Sequence, residues 1–253
     1  MSDKHPPSEP LAGLSQMRRE VGGGLFGRQK GKRLRDEQQS LMETLLPKLQ
    51  IENIQPILDG ASPQSIKTET LFPDKKTELH LEIGFGGSEH LIYRALETPN
   101  IGFIGVEPFV NGVAKAVAEI ARNNIQNIRL HHGDAVDVLA SLPDGCISSL
   151  YLLYPDPWPK RRQRKRRFVS LPTLKAMHRV LSAKGKFYFA SDIDDYVGWA
   201  LGLVKASGLF DWQAEMSQDW QTPYDNWPGT RYEAKAYREG RVPTYLRFMK
   251  TCV

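Results

Sequence analysis

The segment ELHLEIGFGGSEHLIYRALE, residues 78–97, joins a strand pattern to a helix pattern through a glycine-rich turn. The strand pattern covers residues 78–83, and the helix pattern covers residues 88–97 with its apolar side chains on one face. Glycines at such a junction let the backbone turn tightly and approach a ligand closely. The segment therefore predicts the first strand, turn and helix of an α/β domain.

The alternation of strands and helices continues along the rest of the chain. Further strands are predicted at residues 101–106, 128–132, 147–154 and 186–190, and helices at residues 109–123, 135–141, 173–181 and 196–207. Two late strands, at residues 210–216 and 244–250, are expected to form an antiparallel edge. Strands that alternate with helices predict an α/β fold with a doubly wound sheet.

The chain before residue 78 has a different character. Residues 1–35 are rich in Pro, Gly, Ser and Arg and show no apolar periodicity, so we expect a mostly disordered basic tail. A helix is predicted at residues 37–49, and prolines interrupt the linker that follows it. We treat residues 36–253 as a single domain.

The composition excludes several classes of protein. The chain has 253 residues, of which 40% are hydrophobic, but no apolar run reaches the ~18–20 residues of a membrane helix. The first ten residues lack the apolar centre of a signal peptide. Two cysteines, Cys146 and Cys252, form neither a disulfide framework nor a cysteine-rich zinc site, and the histidines show no metal-ligand spacing. We therefore expect a cytoplasmic protein with reduced thiols and no metal.

The positive charge is concentrated in two places. Residues 1–35 hold eight Lys and Arg against three Asp and Glu, an excess of five that equals the net charge of the whole chain, +5. Residues 160–167 read KRRQRKRR, with seven positive charges in eight residues. This distribution indicates a polyanionic partner. The alternative is a solubilising tail and a solvated loop.

The glycine turn is typical of a site for either a dinucleotide or S-adenosylmethionine. A dinucleotide site reads G-x-G-x-x-G, but the sixth position counted from Gly84 is Glu89, whose charge would repel a pyrophosphate. Glu82, two residues before Gly84, suits a positively charged ligand such as the ammonium and sulfonium of S-adenosylmethionine. The spacing therefore favours S-adenosylmethionine, and a tight turn without a ligand is the structural alternative.

Two more carboxylates follow successive predicted strands. Glu107 ends the second strand, where it can accept hydrogen bonds from both ribose hydroxyls. Asp134 follows the third strand, where it can accept from the exocyclic amine of adenine. Each acid alone is more often a helix cap or a solvated side chain. Together with Glu82 and the turn, they favour a cofactor site at the carboxyl ends of the strands.

The fourth predicted strand runs into YPDPWPK, residues 154–160. Three prolines in five residues stiffen this loop and remove backbone donors. The loop is expected to project Asp156 and Trp158 beside the methyl group of the cofactor. A stiff loop that caps the sheet would explain the prolines, but not an acid held between two of them.

Several motifs resemble those of the bacterial tRNA (guanine-N7)-methyltransferase family, over about residues 26–250. They are GRQKGKRLRDEQQ at 27–39, LEIGFG at 81–86, GVE at 105–107, GDA at 133–135, PDPWPK at 155–160 and TRYE at 230–233. The most specific is PDPW followed by a basic run. The resemblance implies a Rossmann-like class I fold, with a mostly parallel sheet, and methyl transfer from S-adenosylmethionine to a guanine in the variable loop of tRNA.

The resemblance also implies roles for individual residues. Asp156 is the catalytic position, and the cofactor-binding set is Glu82, Gly84, Gly86, Glu107, Asp134 and Asp156. The substrate-binding set is Lys160, Asp192, Thr230, Arg231, Tyr232 and Glu233. The chain departs from the usual pattern at Ser88, where the family has a third glycine, and at Pro159, where many members have histidine. Ser88 is expected to cap the following helix instead.

The chemistry of guanine agrees with these residue types. N7 carries an in-plane lone pair, so no general base is needed, and a fixed carboxylate such as Asp156 can stabilise the cation that forms. Lys160 and the arginines after it are expected to bind phosphate without reading sequence. Trp158 and Tyr232 are candidates to stack on an unstacked base, although Tyr232 is equally typical of an ordinary core aromatic.

Alternatives remain open from the sequence. The chain can be another nucleic-acid methyltransferase that acts on an amino group, or a non-catalytic RNA-binding protein that keeps the fold. Thr230 and Glu233 have the spacing of a capping box, which is a purely structural role that can coexist with substrate binding. The partner is tRNA in the main interpretation, without a membrane, and the oligomeric state is a monomer or a homodimer.

Overall fold

The computed structural model of the chain describes residues 31–57 and 65–252, together with Gly13, Leu14, Gln16, Arg18 and Gln29. Within this part of the chain, seven strands form one sheet. They are β1 (Glu78–Ile83), β2 (Ile101–Val106), β3 (Ile128–His131), β4 (Ile147–Leu153), β5 (Leu181–Ser191), β6 (Phe210–Trp212) and β7 (Thr244–Lys250).

Nine α-helices accompany these strands in the described residues. They are α1 (Asp36–Thr44), α2 (Leu46–Leu49), α3 (Glu89–Glu97), α4 (Val110–Arg122), α5 (Ala135–Ser141), α6 (Leu171–Val180), α7 (Asp194–Ser207), α8 (Gln218–Gln221) and α9 (Arg231–Arg238). None of these helices has the length and apolar character that crossing a bilayer requires.

The strand order is β3-β2-β1-β4-β5-β7-β6. The five strands β1 to β5 run parallel to one another, and β7 lies antiparallel to both β5 and β6. This order confirms the predicted α/β fold, a doubly wound and mostly parallel sheet with an antiparallel edge. The order reverses between β1 and β4, which is the topological switch point where such sheets bind ligands.

The central strand β4 is buried on both faces. Leu150 and Leu152 pack into the largest hydrophobic cluster of the molecule. Tyr151 and Leu153 point to the opposite face, into a cluster of aromatic side chains. Because both faces are covered, residues 150–153 of β4 form a continuous apolar run rather than an alternation of apolar and polar residues.

Three elements differ from the predicted ones. The predicted helix at residues 37–49 is divided into α1 and α2, because Pro47 has no N–H to continue a helix and is tolerated in the first turn of a new one. Strand β5 begins five residues earlier than predicted, directly after α6, and β6 is shorter than predicted.

The N-terminal segment contributes described residues to the body of the protein. Leu14 is fully buried in the largest hydrophobic cluster, and the Arg18 guanidinium forms two ion pairs. Most of residues 1–35 lie outside the described residues, so the disordered tail stays a prediction there, as does the domain boundary at residue 36. The two cysteines, Cys146 and Cys252, are free thiols.

Helix α4 runs so close to the glycine turn that only glycine fits at its contact point. A Cβ added at Gly112 would lie 2.4 Å from the carbonyl oxygen of Gly86 and 3.2 Å from Cγ of Glu107. The backbone of the turn therefore rests directly on the helix. This contact sets the shape of the turn at the switch point.

We expect the substitution Gly112→Ala to lower the free energy of unfolding by about 1–3 kcal/mol, because the added methyl group displaces backbone that cannot move cheaply. Urea unfolding measures this change. The matched control is Gly198→Ala in α7, where a Cβ has open space. The control should leave stability unchanged or raise it by up to about 1 kcal/mol. Equal stability of the two variants would contradict the close contact.

Candidate active site

A cavity of about 460 Å³ opens at the carboxyl ends of β1, β2, β3 and β4. Each of these strands is followed by residues that line it, including Gly84, Glu107, Asp134 and Tyr154. Its volume lies in the range of small-molecule sites. The sheet therefore brings the predicted glycine turn and three predicted carboxylates to one cavity at the switch point. These carboxylates belong to Glu107, Asp134 and Asp156.

The turn between β1 and α3 uses left-handed backbone. The φ angle is +71° at Gly84 and +53° at Gly86, a conformation that glycine adopts without steric cost. The Gly84 N–H donates to the carbonyl oxygen of Val106 at 2.8 Å, which joins the turn to β2. A Cβ at Gly84 would meet no atom within 4 Å, so this residue borders open space in the cavity.

Ser88 occupies the N-cap position of α3, but it does not cap the helix as expected. Its φ angle is +67°, in the left-handed region, and its hydroxyl donates to the carbonyl oxygen of Gly87 at 2.6 Å. The side chain is fully buried and makes no capping hydrogen bond. The expected cap is therefore wrong, because the left-handed backbone directs the hydroxyl back along the turn.

Glu107 is the fixed acid at the base of the cavity. Its two carboxylate oxygens accept hydrogen bonds from the N–H of Gly86 at 2.7 Å and of Phe109 at 2.9 Å. Burial raises the pKa of this carboxyl, while the two backbone donors act in the opposite direction. Each oxygen retains a second lone pair, so Glu107 can still accept from a ligand hydroxyl.

Asp134 caps α5 and pairs with an arginine from the N-terminal segment. Its Oδ1 accepts from the Val136 N–H at 3.0 Å, and its Oδ2 accepts from Nη2 of Arg18 at 2.7 Å. The other guanidinium nitrogen, Nη1, donates to Asp137 at 2.7 Å and to the carbonyl oxygen of Ile57. Arg18 lines the cavity together with Asp134, and the two carboxylates raise its pKa further above the usual range.

Glu82 lies behind the cavity rather than in its wall. Its carboxylate is 4% exposed, and Oε2 accepts a hydrogen bond from Nδ1 of His90 at 2.6 Å. A second, very small cavity lies between Glu82 and the start of α9, and Tyr232 lines both this small cavity and the main one. The hydrogen bond with His90 therefore holds the Glu82 carboxylate from the side that faces away from the main cavity.

The loop that carries Asp156 is held in an unusual conformation. Tyr154 and Trp158, on either side of it, both have left-handed backbone, with φ angles of +51° and +41°. Residues with large side chains rarely adopt left-handed backbone, and backbone strain of this kind is found at functional sites. The Asp156 carboxylate accepts no hydrogen bond from the described residues, and partial burial raises the pKa of this carboxyl group.

The basic run has two parts with different roles. Arg167 is 2% exposed; it donates to the carbonyl oxygen of Pro157 at 2.8 Å and forms an ion pair with Asp195. Arg164 also pairs with Asp195, at 2.7 Å. The expectation that every charge in the run binds phosphate is therefore wrong for Arg167, which fixes the Asp156 loop to α7.

The remaining charges of the run lie outside the protein core. Lys160, Arg161 and Arg162 are exposed, in and before a 3₁₀ helix at Arg161–Arg166. The guanidinium of Arg166 lies over the Trp158 ring, 5.1 Å from its centroid. Lys165 and Arg166 line the cavity, and the exposed cations Lys160, Arg161 and Arg162 precede them in the chain. We call these three exposed cations the ridge.

Four of the six predicted substrate residues are engaged with other protein groups away from the cavity. Thr230 caps α9, since its hydroxyl accepts from the Glu233 N–H at 3.1 Å. Asp192 accepts from Nε of Arg241 at 2.6 Å. Glu233 accepts from Nε1 of Trp227 at 2.9 Å and from the Tyr245 hydroxyl. The capping box is therefore present, and Arg231 forms an ion pair with Glu89.

The helix α9 begins on top of the glycine turn. The Arg231 guanidinium covers Gly87, and the Tyr232 ring covers Gly86, where an added Cβ would lie 2.9 Å from a ring carbon. Tyr232 is 44% exposed and lies parallel to Tyr154, with ring centroids 6.4 Å apart. Of the six predicted substrate residues, Tyr232 alone lines the cavity, and Lys160 lies on the exposed ridge.

Sequence reasoning did not identify Arg18 or His90. Arg18 lies in a segment without apolar periodicity, so nothing local indicates a partner 116 residues away. His90 follows the glycine turn on a helix face that packs inward, which is a weak signal for a partner of Glu82. Both residues neutralise or orient acids that the sequence did identify.

The cavity wall fits a nucleoside ligand with a positively charged tail better than it fits a metal. Gly84 and Gly86 allow close backbone approach, and Glu107 and Asp134 offer acceptors to hydroxyl and amino groups. Among residues 31–57, 65–252 and the five isolated ones, no group of three or more His, Cys, Asp or Glu side chains is arranged to hold a metal ion.

Comparisons with known proteins agree with this geometry. A family model described as a putative methyltransferase matches residues 76–245. The chain is 52% identical over 225 residues to a tRNA (guanine-N(7)-)-methyltransferase of Agrobacterium fabrum, with 89% of this chain and 94% of that protein covered. It is 50% identical over 250 residues to a protein of the same name from Chelativorans sp., with 99% and 100% covered.

A solved structure shares the fold at low sequence identity. The 16S rRNA methyltransferase KamB superposes with a TM-score of 0.51 and 15% identity, over 70% of this chain and 89% of that chain. At this identity the likeness concerns the fold alone. It agrees with the α/β fold of this chain.

We expect Arg18→Met to lower the free energy of unfolding by about 1–3 kcal/mol, because it leaves the carboxylates of Asp134 and Asp137 without their charged donor. Urea unfolding at neutral pH measures the change. Arg33→Met is the matched control, since Arg33 is exposed and its replacement should change stability by less than about 0.5 kcal/mol. Identical unfolding of both variants would show that the Arg18 ion pairs do not hold the segment in solution.

Proposed function

Because this chain belongs to the tRNA (guanine-N7)-methyltransferase family, we propose that it transfers a methyl group from S-adenosylmethionine to N7 of a guanine in the variable loop of tRNA. The observation that carries the proposal is the cavity at the switch point. It brings the glycine turn, Glu107, Asp134 and Asp156 together in a chain about half identical to enzymes of that name.

The chain's own residues provide the acceptors that the cofactor requires. Glu107, fixed by two backbone donors, would accept from the ribose hydroxyls, and Asp134 would accept from the adenine amine. Gly84 and Gly86 would border the methionine portion, and Glu82 would attract its ammonium group from behind the turn. When bound, S-adenosylmethionine supplies a methyl group on a sulfonium, which is already activated for transfer.

Guanine N7 is nucleophilic without deprotonation, so the protein's main tasks are positioning and charge stabilisation. Asp156 is suited to the second task. Its carboxylate lines the cavity and accepts no hydrogen bond from the described residues. We assign it the role of stabilising the positive charge that develops on the guanine ring.

The groups around Asp156 are suited to hold a base and its backbone. Trp158, stacked with Arg166, and Tyr232, exposed over the turn, would hold an unstacked guanine. Lys160 and the exposed arginines of the ridge would bind phosphates on the adjacent strand. The tRNA would then approach from the side of the α9 helix.

The other predicted substrate residues are proposed in supporting roles. Thr230 and Glu233 set the start of α9, and through it the position of Tyr232. Arg231 and Asp192 are each held in an ion pair, with Glu89 and Arg241 respectively. A guanine contact by Glu233 requires its remaining lone pairs or an exchange of the Trp227 hydrogen bond.

Two further properties belong to the proposal. We place the protein in the cytoplasm, where unmodified tRNA is processed. We propose that it is a monomer or a homodimer.

The proposal is tested by incubating purified protein with labelled S-adenosylmethionine and unmodified bulk tRNA, followed by nucleoside chromatography. We expect label in 7-methylguanosine. Asp156→Ala, checked for normal unfolding, should reduce the single-turnover rate by about 100-fold or more, in the range of lost electrostatic stabilisation. A near-normal rate in this variant would remove Asp156 from the chemistry.

Other products of the same assay favour the alternatives. Label in an amino-methylated nucleoside would indicate a methyltransferase of different base specificity. Absence of label in tRNA, when titration shows that S-adenosylmethionine binds, would indicate another acceptor. Absence of both would indicate an RNA-binding protein that keeps the fold.

The exposed ridge is expected to control the salt dependence of tRNA binding. In Lys160→Ala/Arg161→Ala, the slope of log Kd against log salt concentration should fall by about 1–2, because each lost phosphate contact removes about 0.7–0.9. The control is Lys67→Ala/Lys75→Ala, two exposed cations at the amino ends of the strands. Equal slopes for the two variants would assign the ridge to ordinary solvated surface.

A further inference from the structure

A buried polar network lies between the glycine turn and the segment before α9. Nδ1 of His90 donates to Glu82 at 2.6 Å, and Nε2 forms a hydrogen bond with the Tyr224 hydroxyl. His90 is 2% exposed and Glu82 is 4% exposed. The three side chains thus connect residues that are 134 positions apart in the chain, without water access to the imidazole.

The network gives each ring nitrogen of the histidine its own partner. Nδ1 faces the Glu82 carboxylate, and Nε2 faces the Tyr224 hydroxyl. Contacts on both edges of the ring fix its orientation, and the ring in turn holds the Glu82 carboxylate in one orientation.

A second set of contacts continues from the same place to α9. The Trp227 ring lies 5.5 Å from the His90 ring, and its Nε1 donates to both oxygens of Glu233, the residue paired with the Thr230 cap. Tyr224 and Trp227 are three residues apart on one loop. His90 therefore contacts both a predicted cofactor acid and the loop that positions the start of α9.

We propose that His90 is a positioning residue that couples cofactor binding to the substrate side of the site. It orients Glu82 toward the ammonium group of S-adenosylmethionine, and it holds the loop 222–230 against the glycine turn. The inference rests on the proposed cofactor site. It assigns a specific task to each ring nitrogen, which packing alone would not require, because a phenyl ring fills the same space between Tyr151 and Trp227.

The two nitrogens can be tested separately with amide side chains. The amide of His90→Asn reaches the position of Nδ1, whereas that of His90→Gln reaches the position of Nε2. His90→Phe removes both hydrogen bonds, and Tyr224→Phe removes only the hydroxyl. Tyr188→Phe is the matched control, because Tyr188 stacks on Tyr151 in the same aromatic cluster and its hydroxyl has no hydrogen-bond partner among the described side chains.

The first measurement is the Kd for S-adenosylmethionine by calorimetry. We expect His90→Gln and His90→Phe to raise it about tenfold, the effect of a misplaced charged partner. His90→Asn, Tyr224→Phe and Tyr188→Phe should stay within about threefold of the parent chain. Equal weakening by His90→Asn and His90→Gln would overturn the assignment and reduce His90 to a packing residue.

The second measurement is hydrogen exchange of the amides in residues 222–230, with and without S-adenosylmethionine. Binding should slow exchange in the parent chain and in Tyr188→Phe, but not in Tyr224→Phe or His90→Asn. Those two variants should also raise KM for tRNA about fivefold while kcat changes less. A cofactor response that persists in Tyr224→Phe would overturn the coupling.

Failure of the proposed function would be seen separately. If the parent chain forms no 7-methylguanosine but binds S-adenosylmethionine, the Kd series and the exchange series still decide the role of His90. If the parent chain does not bind S-adenosylmethionine at all, both the proposed function and the task assigned to Nδ1 are wrong. Urea unfolding of each variant separates loss of binding from loss of fold.

Discussion

Two backbone N–H groups converge on the buried carboxylate of Glu107, and the geometry of the whole site depends on this interaction. One donor belongs to Gly86 in the turn after β1, and the other belongs to Phe109 at the start of α4. The acid at the end of β2 therefore fixes the turn and the helix to each other. Gly112 permits the close approach, since a side chain there would displace the turn. With the turn fixed in this way, the carboxyl ends of the strands enclose a cavity rather than a flat edge.

The position of helix α9 depends on the same turn. Tyr232 covers Gly86 and Arg231 covers Gly87, so α9 can begin only where the turn leaves space. The residues with the proposed substrate-side roles are thus packed on the residues with the proposed cofactor-side roles. The aromatic cluster around Tyr151 fills the volume between β4 and the loop that leads into α9. A change in the turn would therefore shift the start of α9, and with it Tyr232, the residue that we propose to contact the base.

The sequence was sufficient for what depends on local pattern. The bounds of β1, β2, β7 and α5 agree with prediction, and so does the arrival of Glu107, Asp134 and Asp156 at one cavity, because parallel strands end at one edge. It was insufficient where distant residues meet. Arg18 pairs with Asp134, and His90 with Tyr224, across more than 100 positions of the chain, and no periodicity encodes such pairs. Ser88 shows a second limit, since a residue type that favours capping was overridden by left-handed backbone.

Four carboxylates gathered at one site would repel one another unless the protein compensated for their charge. Glu82 is bonded to His90, Glu107 to two backbone N–H groups, and Asp134 to Arg18. Asp156 differs, because its carboxylate accepts no hydrogen bond from any residue in the described ranges, and the surrounding protein raises its pKa. An uncompensated carboxylate gains most from a nearby positive charge. This unequal compensation supports our proposal that Asp156 meets the cationic guanine ring and that the other three acids face the cofactor.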